Sequence, residues 1–293
     1  MSSSLIFRQV TKRFGDTTVF EGDSFELRPG LSFLVGRNGA GKSTLVRLAT
    51  GIERPTAGQV LIFSDPTHLI KQETKRRFGL QLQNDAFLKS VRVGEYIELY
   101  KRLYLSGGAS PTIDLHEIAD VLDIGPLMRS YAYALSGGQK KRVSLFLTII
   151  GRKELLVLDE PTAGIDVDVK DKIMRVIRLL QGQNVDLLVS SHDLSEFFEI
   201  ADNVLVVDGG IRFNGTKTAF RERFGYPYKT VVPTAAAGVG LPSVEHEDGV
   251  SYFARTTELL GEAFPGNSIL PTTPKDFYQL ATRATHGEAK WTR

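Results

Sequence analysis

The run Gly36-Arg37-Asn38-Gly39-Ala40-Gly41-Lys42-Ser43-Thr44 has the spacing G-x4-G-K-[ST], and it directly follows the apolar stretch Leu31-Ser32-Phe33-Leu34-Val35. Glycines at these positions let successive backbone N–H groups wrap a polyphosphate. Lys42 then supplies a point charge at the β and γ groups, and Ser43 offers a hydroxyl to Mg²⁺. A helix opening at Lys42 adds its positive end to the same anion site. Phosphate loops of this kind serve GTPases, kinases, helicases and transport ATPases alike, so the rest of the chemistry must be sought elsewhere in the chain.

Three further segments carry it. Leu135-Ser136-Gly137-Gly138-Gln139 precedes the basic amphipathic segment Lys140-Lys141-Arg142-Val143-Ser144-Leu145. A Ser and two glycines at a helix start leave unpaired N–H groups open to close approach, which makes a second anion site. Leu155-Leu156-Val157-Leu158-Asp159-Glu160-Pro161 is a buried strand ending in two adjacent carboxylates. Asp159 can hold Mg²⁺ through water, while Glu160, on the other side of the strand, can orient or deprotonate an attacking water. The apolar run ending at Ser190 leads into Ser191-His192-Asp193, which makes His192 a candidate γ-phosphate sensor at the same sheet edge as Asp159. His68, His116, His246 and His286 have no ligand-like spacing and are read as structural.

These segments need elements to hold them. The first 30 residues alternate apolar and polar side chains, with Leu5, Phe7, Val19, Phe25 and Leu27 in short runs broken by Gly15 and Gly30, as antiparallel hairpins do. Leu31–Val35, Leu155–Leu158, Leu187–Val189 and Val204–Val207 are short, nearly continuous apolar runs, as expected of parallel strands covered on both faces. Helical periodicity separates them, so the fold class is α/β with a layered core. Between about residues 85 and 150 the strand signal gives way to three amphipathic helices, Val93–Tyr104, Ile113–Leu122 and Gln139–Ile150, with a break at Ser106–Pro111. Beyond Gly225 the texture changes again, through Pro227, Pro233 and Ala235-Ala236-Ala237-Gly238. The chain therefore divides into a domain over 1–224 and a small α+β appendage over 225–293. The appendage contains a strand near Val250–Phe253, a helix near Thr257–Phe264 and another after Pro274, N-capped by Thr273 with Asp276 three residues on.

Composition excludes several classes. With 36 Lys plus Arg against 34 Asp plus Glu, the formal charge of +2 is too balanced for a global field that attracts nucleic acid. The absence of Cys excludes disulfides, iron–sulfur clusters and Cys-based zinc sites. Met1–Arg8 lacks the basic start and apolar stretch of a secretion signal, and no run approaches the ~18 apolar residues that span a bilayer. The chain is expected in the cytoplasm, reaching a membrane only through a partner.

Taken in order, these motifs resemble the nucleotide-binding subunit of an ATP-binding cassette (ABC) transporter over about residues 4 to 220, LSGGQ beside the phosphate loop being that family's mark. The resemblance implies a P-loop NTPase core with an N-terminal antiparallel β-subdomain and an inserted helical subdomain. It implies ATP and Mg²⁺ as ligands, with Gly36, Asn38, Gly39, Ala40, Gly41, Lys42, Ser43 and Thr44 around the phosphates. Phe14 falls where an aromatic residue stacks on adenine. Gln83 falls at the glutamine loop, reaching Mg²⁺ and the attacking water and sensing the membrane partner, although Leu82 replaces the usual Pro and Gln81 lies two residues away. Ala163-Gly164-Ile165-Asp166 looks like the loop that crosses between subunits, and His192 matches the switch histidine.

In that family two cassettes pair head to tail, each ATP lying between one subunit's phosphate loop and the other's Ser136, Gly137, Gly138 and Gln139 equivalents. The resemblance thus implies catalysis by Glu160, His192, Gln83 and Lys42, and Mg²⁺ held near Ser43, Gln83 and Asp159. The tail segment Thr273–Leu280 looks like the appendage of drug, antibiotic and polysaccharide exporter ATPases. This implies export powered through a separate multi-span membrane subunit, with a second ATPase copy in a homodimer and no nucleic acid. A soluble cassette ATPase in a scaffold or assembly machine is the alternative. The cluster Lys71, Lys75, Arg76 and Arg77 reads as a solvated helix face, or else as a contact to lipid headgroups or the partner.

Overall fold

The computed structural model describes residues 3–84, 86–105, 111, 113–236 and 239–283. The chain opens with two long antiparallel strands, β1 (Leu5–Phe14) and β2 (Thr17–Glu26), then β3 (Leu31–Val35) and α1 (Lys42–Ala49). Next come β4 (Ala57–Ile62), β5 (Asp65–Pro66), α2 (Gln72–Arg77) and β6 (Phe78–Gln81). The helical insert holds α3 (Val93–Tyr104), α4 (Leu115–Val121) and α5 (Gly137–Ile149). The core resumes with β7 (Leu155–Asp159), α6 (Val167–Gln181), β8 (Asp186–Ser191), α7 (Leu194–Phe198), β9 (Asn203–Val207), β10 (Ile211–Thr216) and α8 (Lys217–Phe224). The tail contributes β11 (Tyr228–Val232), β12 (Ser243–His246), β13 (Gly249–Ala254), α9 (Thr257–Ala263), β14 (Leu270–Pro271) and α10 (Pro274–Arg283).

The central sheet has the order β10-β9-β3-β8-β7-β6, parallel except for β10. Its strands are apolar throughout because both faces are covered, and alternate side chains serve two different clusters. Phe33, Val35, Leu156, Leu158, Leu187, Val189, Val204 and Val206 face one way, into a core shared with the helical insert and α6. Leu34, Leu155, Val157, Leu188, Leu205 and Val207 face the other, against α1 and the β1/β2/β4 sheet. A period of two within each strand thus assigns every buried residue to a layer.

The expected elements form where the periodicity places them, with α3 at Val93–Tyr104 and the cores of α4 and α5 inside the anticipated spans. The break at Ser106–Ser110, together with Ala237, Gly238 and His286, lies outside the described residues. In the tail, β11 and β14 flank β13 on one side and β12 on the other, adding three strands to the one anticipated. The start of α10 is fixed by Asp276, which accepts from the Thr273 N–H at 2.7 Å and the Thr273 hydroxyl at 2.8 Å. No helix among the described residues is long and apolar enough to cross a membrane.

Of the basic cluster, Arg77 turns inward and grips Glu154 in a two-pronged pair at 2.8 and 2.7 Å. Lys71 lies 3.2 Å from Asp65, while Lys75 and Arg76 are exposed. The cluster is thus partly spent on local pairing.

Candidate active site

Parallel pairing places three chemical segments at one edge. Val35 is in register with Ser191 on β8, and Asp159 on β7 is in register with Ser190. The carboxyl ends of β3, β7 and β8 therefore release the phosphate loop, the Asp159-Glu160 pair and His192 side by side, where ligands of open α/β sheets sit. β6 runs parallel beside β7 with Gln81 opposite Leu158, so Gln83 emerges next to Glu160.

The result is a cleft of about 490 Å³ whose lining includes Asn38, Gly39, Gly41, Lys42, Ser43 and Thr44 from the loop. Gln83, Glu160, Ala163 and His192 complete it opposite, with Val19 and Arg37 at its rim. Gly41 adopts φ 109°, and a Cβ there would stand 2.9 Å from a Val19 methyl, so only glycine lets the loop pass this close to β2. At Gly36 a Cβ would meet the Val207 carbonyl at 2.6 Å, which fixes the first glycine of the motif for the same reason.

Glu160 is the hub. Its carboxylate accepts from Gln83 Nε2 at 3.0 Å and lies 3.5 Å from His192 Nδ1 and 3.7 Å from Lys42 Nζ. Glu160 has φ 47°, a left-handed conformation that costs a non-glycine residue on the order of 1 kcal/mol. The turn sets the side chain against Gln83, His192 and Lys42. Ser190, fully buried, holds both acids: it accepts from the Glu160 N–H at 2.9 Å and donates to Asp159 Oδ1 at 2.6 Å. The sequence offered a faint signal for it, a hydroxyl in an otherwise apolar strand just before the Ser-His-Asp end.

Lys42 Nζ donates to the Gly36 carbonyl at 2.7 Å and to the Arg37 carbonyl at 3.3 Å. Burial lowers its pKa from the ordinary lysine value, against the opposing pull of Glu160 and then Asp159. The structure also separates the two glutamines. Gln81 is buried in β6 and donates to the Lys141 carbonyl at 3.1 Å, whereas Gln83 lines the cleft. Lys141 on α5 in turn donates from Nζ to the Gln83 carbonyl at 2.5 Å, so the helix after LSGGQ directly steadies the glutamine loop. Nothing in the spacing alone pointed to Lys141.

Ser43 and Gln83 line the cleft and Asp159 is buried at its edge; each has an oxygen suited to a hard divalent cation, and Gln83 uses its nitrogen on Glu160, keeping its amide oxygen for a metal. That donor set fits Mg²⁺ bound together with phosphate oxygens.

Several residues singled out above stand apart from the cleft. Gly36, Ala40 and Asp159 are buried behind its wall. Phe14, 44% exposed, does not line it, and its ring is capped by the Lys12 ammonium 4.6 Å from the centroid. Ser136, Gly137, Gly138 and Gln139 do not line it either. They form a separate helix start, where Ser136 and Gln139 satisfy one another's backbone N–H groups at 3.3 and 3.0 Å. Beside it, a Cβ on Gly138 would lie 3.1 Å from Val169 on α6, and Asp166 caps that helix by accepting from Val169 N at 2.9 Å. The phosphate loop and the Ser136–Gln139 helix start are thus separate, and of the two only the loop lines the cleft with Glu160.

Comparison with known proteins bears on the family and the fold. A family model described as "ABC transporter" matches residues 20–163. The methionine import ATP-binding protein MetN of Rhizobium johnstonii is 31% identical over 207 residues, covering 69% of this chain and 57% of that protein. The Nod factor export ATP-binding protein I of Burkholderia orbicola is 28% identical over 264 residues, covering 87% of this chain and 83% of that protein. A solved ATP-binding subunit of an ABC transporter shares the fold, with a TM-score of 0.69 at 20% identity over 76% of this chain and 94% of the other. The chain therefore spans 57% of the length of the import relative and most of the export relative.

Proposed function

The chain belongs to the ABC transporter family of ATP-binding proteins, and on that premise we propose that it is the ATP-hydrolysing subunit of an exporter. The observation that carries the proposal is the convergence on Glu160 of Gln83, His192 and Lys42, at 3.0, 3.5 and 3.7 Å, beside a phosphate loop. In this reading Glu160 accepts the proton of a water that attacks the γ-phosphoryl group in line, and His192 and Gln83 orient water and phosphate. Lys42 and the amides of Asn38 to Thr44 neutralise the charge that develops on the phosphoryl oxygens. Mg²⁺, when bound at Ser43, Gln83 and Asp159, supplies further charge neutralisation. Phe14 takes the adenine ring, displacing the Lys12 ammonium from its face.

The separation of the phosphate loop from the Ser136–Gln139 helix start supports head-to-tail pairing of two copies, with Ser136 to Gln139 of one copy closing over the other's nucleotide and Asp166 crossing between them. The reading as an exporter rests on the tail segment Thr273–Leu280, and the Nod factor export relative, aligned over 264 residues, extends into that tail. Residues 1–224 form the ATPase domain, with its helical subdomain at about 85–150, and 225–293 the appendage. The partner is a multi-span membrane subunit that holds the cargo, and it keeps this chain on the cytoplasmic face of the membrane. Leu82, Phe87, Tyr96 and Tyr100 line a second cleft that begins beside Gln83, well placed to report that partner's position to the glutamine loop.

Tagged Glu160→Gln protein, recovered from gently solubilised membranes of the source, tests the reading. Turnover is expected to fall roughly a hundredfold or more, with an ATP-trapped dimer and a co-purifying multi-span membrane protein. Unchanged turnover would refute the catalytic assignment, and exclusively soluble partners would refute the transporter assignment.

A further inference from the structure

The peptide unit joining Gly36 to Arg37 is hydrogen-bonded at both ends. Its carbonyl oxygen accepts from Lys42 Nζ at 2.7 Å, and its N–H donates to the Tyr278 hydroxyl at 2.8 Å. A peptide is planar and trans, so its C=O and N–H point in opposite directions. The two partners consequently stand on opposite sides of the loop, and together they set its rotation. Arg37 is held again through its own carbonyl, which accepts from Ala40 N at 3.1 Å, and through its guanidinium, 3.3 Å from Asp208.

Tyr278 reaches this loop from 241 residues further along the chain. It is 4% exposed and rides on α10, which packs against α7, α8 and β10. The helix is anchored in turn by the tail's own sheet. Asp276, also 4% exposed, accepts from Lys229 Nζ on β11 at 2.7 Å as well as from Thr273. A continuous set of polar contacts therefore runs from β11 through Lys229, Asp276 and α10 to Tyr278, the 36–37 peptide and the Lys42 ammonium. Burial holds the Tyr278 phenol above its ordinary pKa, so the group stays neutral across the working range.

We propose that Tyr278 is a positioning residue for the phosphate loop, through which the C-terminal appendage fixes the peptide that holds Lys42. The proposal rests on the ATPase reading above. Without the phenol oxygen the Arg37 N–H must turn to find another acceptor, and the turn carries the Gly36 carbonyl away from the ammonium. Phenylalanine keeps the volume of the buried ring and removes only the acceptor.

The test uses the full chain as wild type, Tyr278→Phe, Arg37→Pro and the double variant, proline removing the N–H itself. ATP with Mg²⁺ is titrated by calorimetry, and kcat and KM are measured in parallel. Tyr278→Phe is expected to weaken ATP binding and raise KM by roughly five-fold, the size of one neutral hydrogen bond, with kcat changed less than two-fold. In the Arg37→Pro background the same substitution is expected to change neither. An unaltered affinity in Tyr278→Phe would overturn the proposal, as would an equal loss in both backgrounds, which marks a packing effect. A wild-type chain that binds no ATP would overturn the ATPase reading itself, a result distinct from wild-type binding that ignores Tyr278.

Discussion

Ser190 is fully buried and serves both acids at the sheet edge, accepting from Glu160 N–H at 2.9 Å and donating to Asp159 at 2.6 Å. Ser190→Ala removes a single oxygen and leaves both groups short of a partner. A hydrogen bond to a carboxylate contributes about 1.5–3 kcal/mol, and an orphaned buried N–H costs about 1–3 kcal/mol. The two effects share one atom and do not simply add, so the expected loss is about 3 kcal/mol. For 293 residues at about 2 cal/mol/K each, that loss lowers the melting temperature by about 5 °C. The second consequence is chemical. The left-handed turn at Glu160 is steadied by the bond that Ser190 accepts, so the carboxylate should wander and turnover fall by roughly tenfold. Scanning calorimetry and steady-state ATPase measurements on the full chain read the two effects separately. A melting temperature lowered by less than about 1 °C together with unchanged turnover would refute the bridging role.

Two further outcomes follow from the site and its surroundings. Gln83→Ala is expected to lower kcat by roughly tenfold while Gln81→Ala, removing a side chain buried against α5, costs mainly stability; thermal melts and ATPase assays of both variants check the split, and the reverse pattern would reassign the glutamine loop. Lys153 is buried, and desolvation lowers its pKa from 10.5 to about 8. The unfolded chain keeps that proton up to the ordinary value while the folded chain releases it near 8, so this group's contribution to stability is unfavourable below about pH 8 and improves as pH rises toward 10.5. Relative to Lys153→Met, the wild-type chain should therefore gain about 2 kcal/mol between about pH 8 and pH 9.5 in denaturant titrations. Parallel pH profiles for the two proteins would contradict this.

What could be read from the sequence was whatever is written locally. The phosphate loop, the Asp159-Glu160 strand end and LSGGQ are contiguous, and their glycines and acids carry their meaning within a few residues. Buried parallel strands announce themselves by unbroken apolar runs, as in Leu155–Leu158, and α3 by its helical period. Ser190 and Tyr278 could not be read in this way, because each acts on a residue 30 or 241 positions distant; the hydroxyl of Ser190 stands out in its apolar strand without naming a partner, and Tyr278 looks unremarkable in its helix. The choice between Gln81 and Gln83 likewise needed the structure, since strand alternation alone would set residues two apart on one face; β6 ends at Gln81, and the chain's exit from it carries Gln83 to Glu160. Strands β11 and β12 escaped notice for another reason. Tyr228–Val232 and Ser243–His246 are short and partly exposed, and only pairing with β13 makes them strands.

The strand β13 places Val250, Tyr252 and Ala254 in the tail's own cluster, yet Phe253 joins the main core, together with Val244, Tyr278 and Leu280. Phe277 meets Phe198 edge to face at 6.2 Å across the same seam. A change in composition near residue 225 thus does not coincide with a gap in packing. For inheritance, this means that the tail is a poor unit of exchange. A recombination that joined this chain's first 224 residues to a cousin's tail would mismatch the aromatic surfaces of α7 and α8, as well as the phenol that meets Arg37. Descent should therefore couple substitutions on the two sides of the seam, and a lineage that discards the tail should also replace Phe198 with a polar side chain.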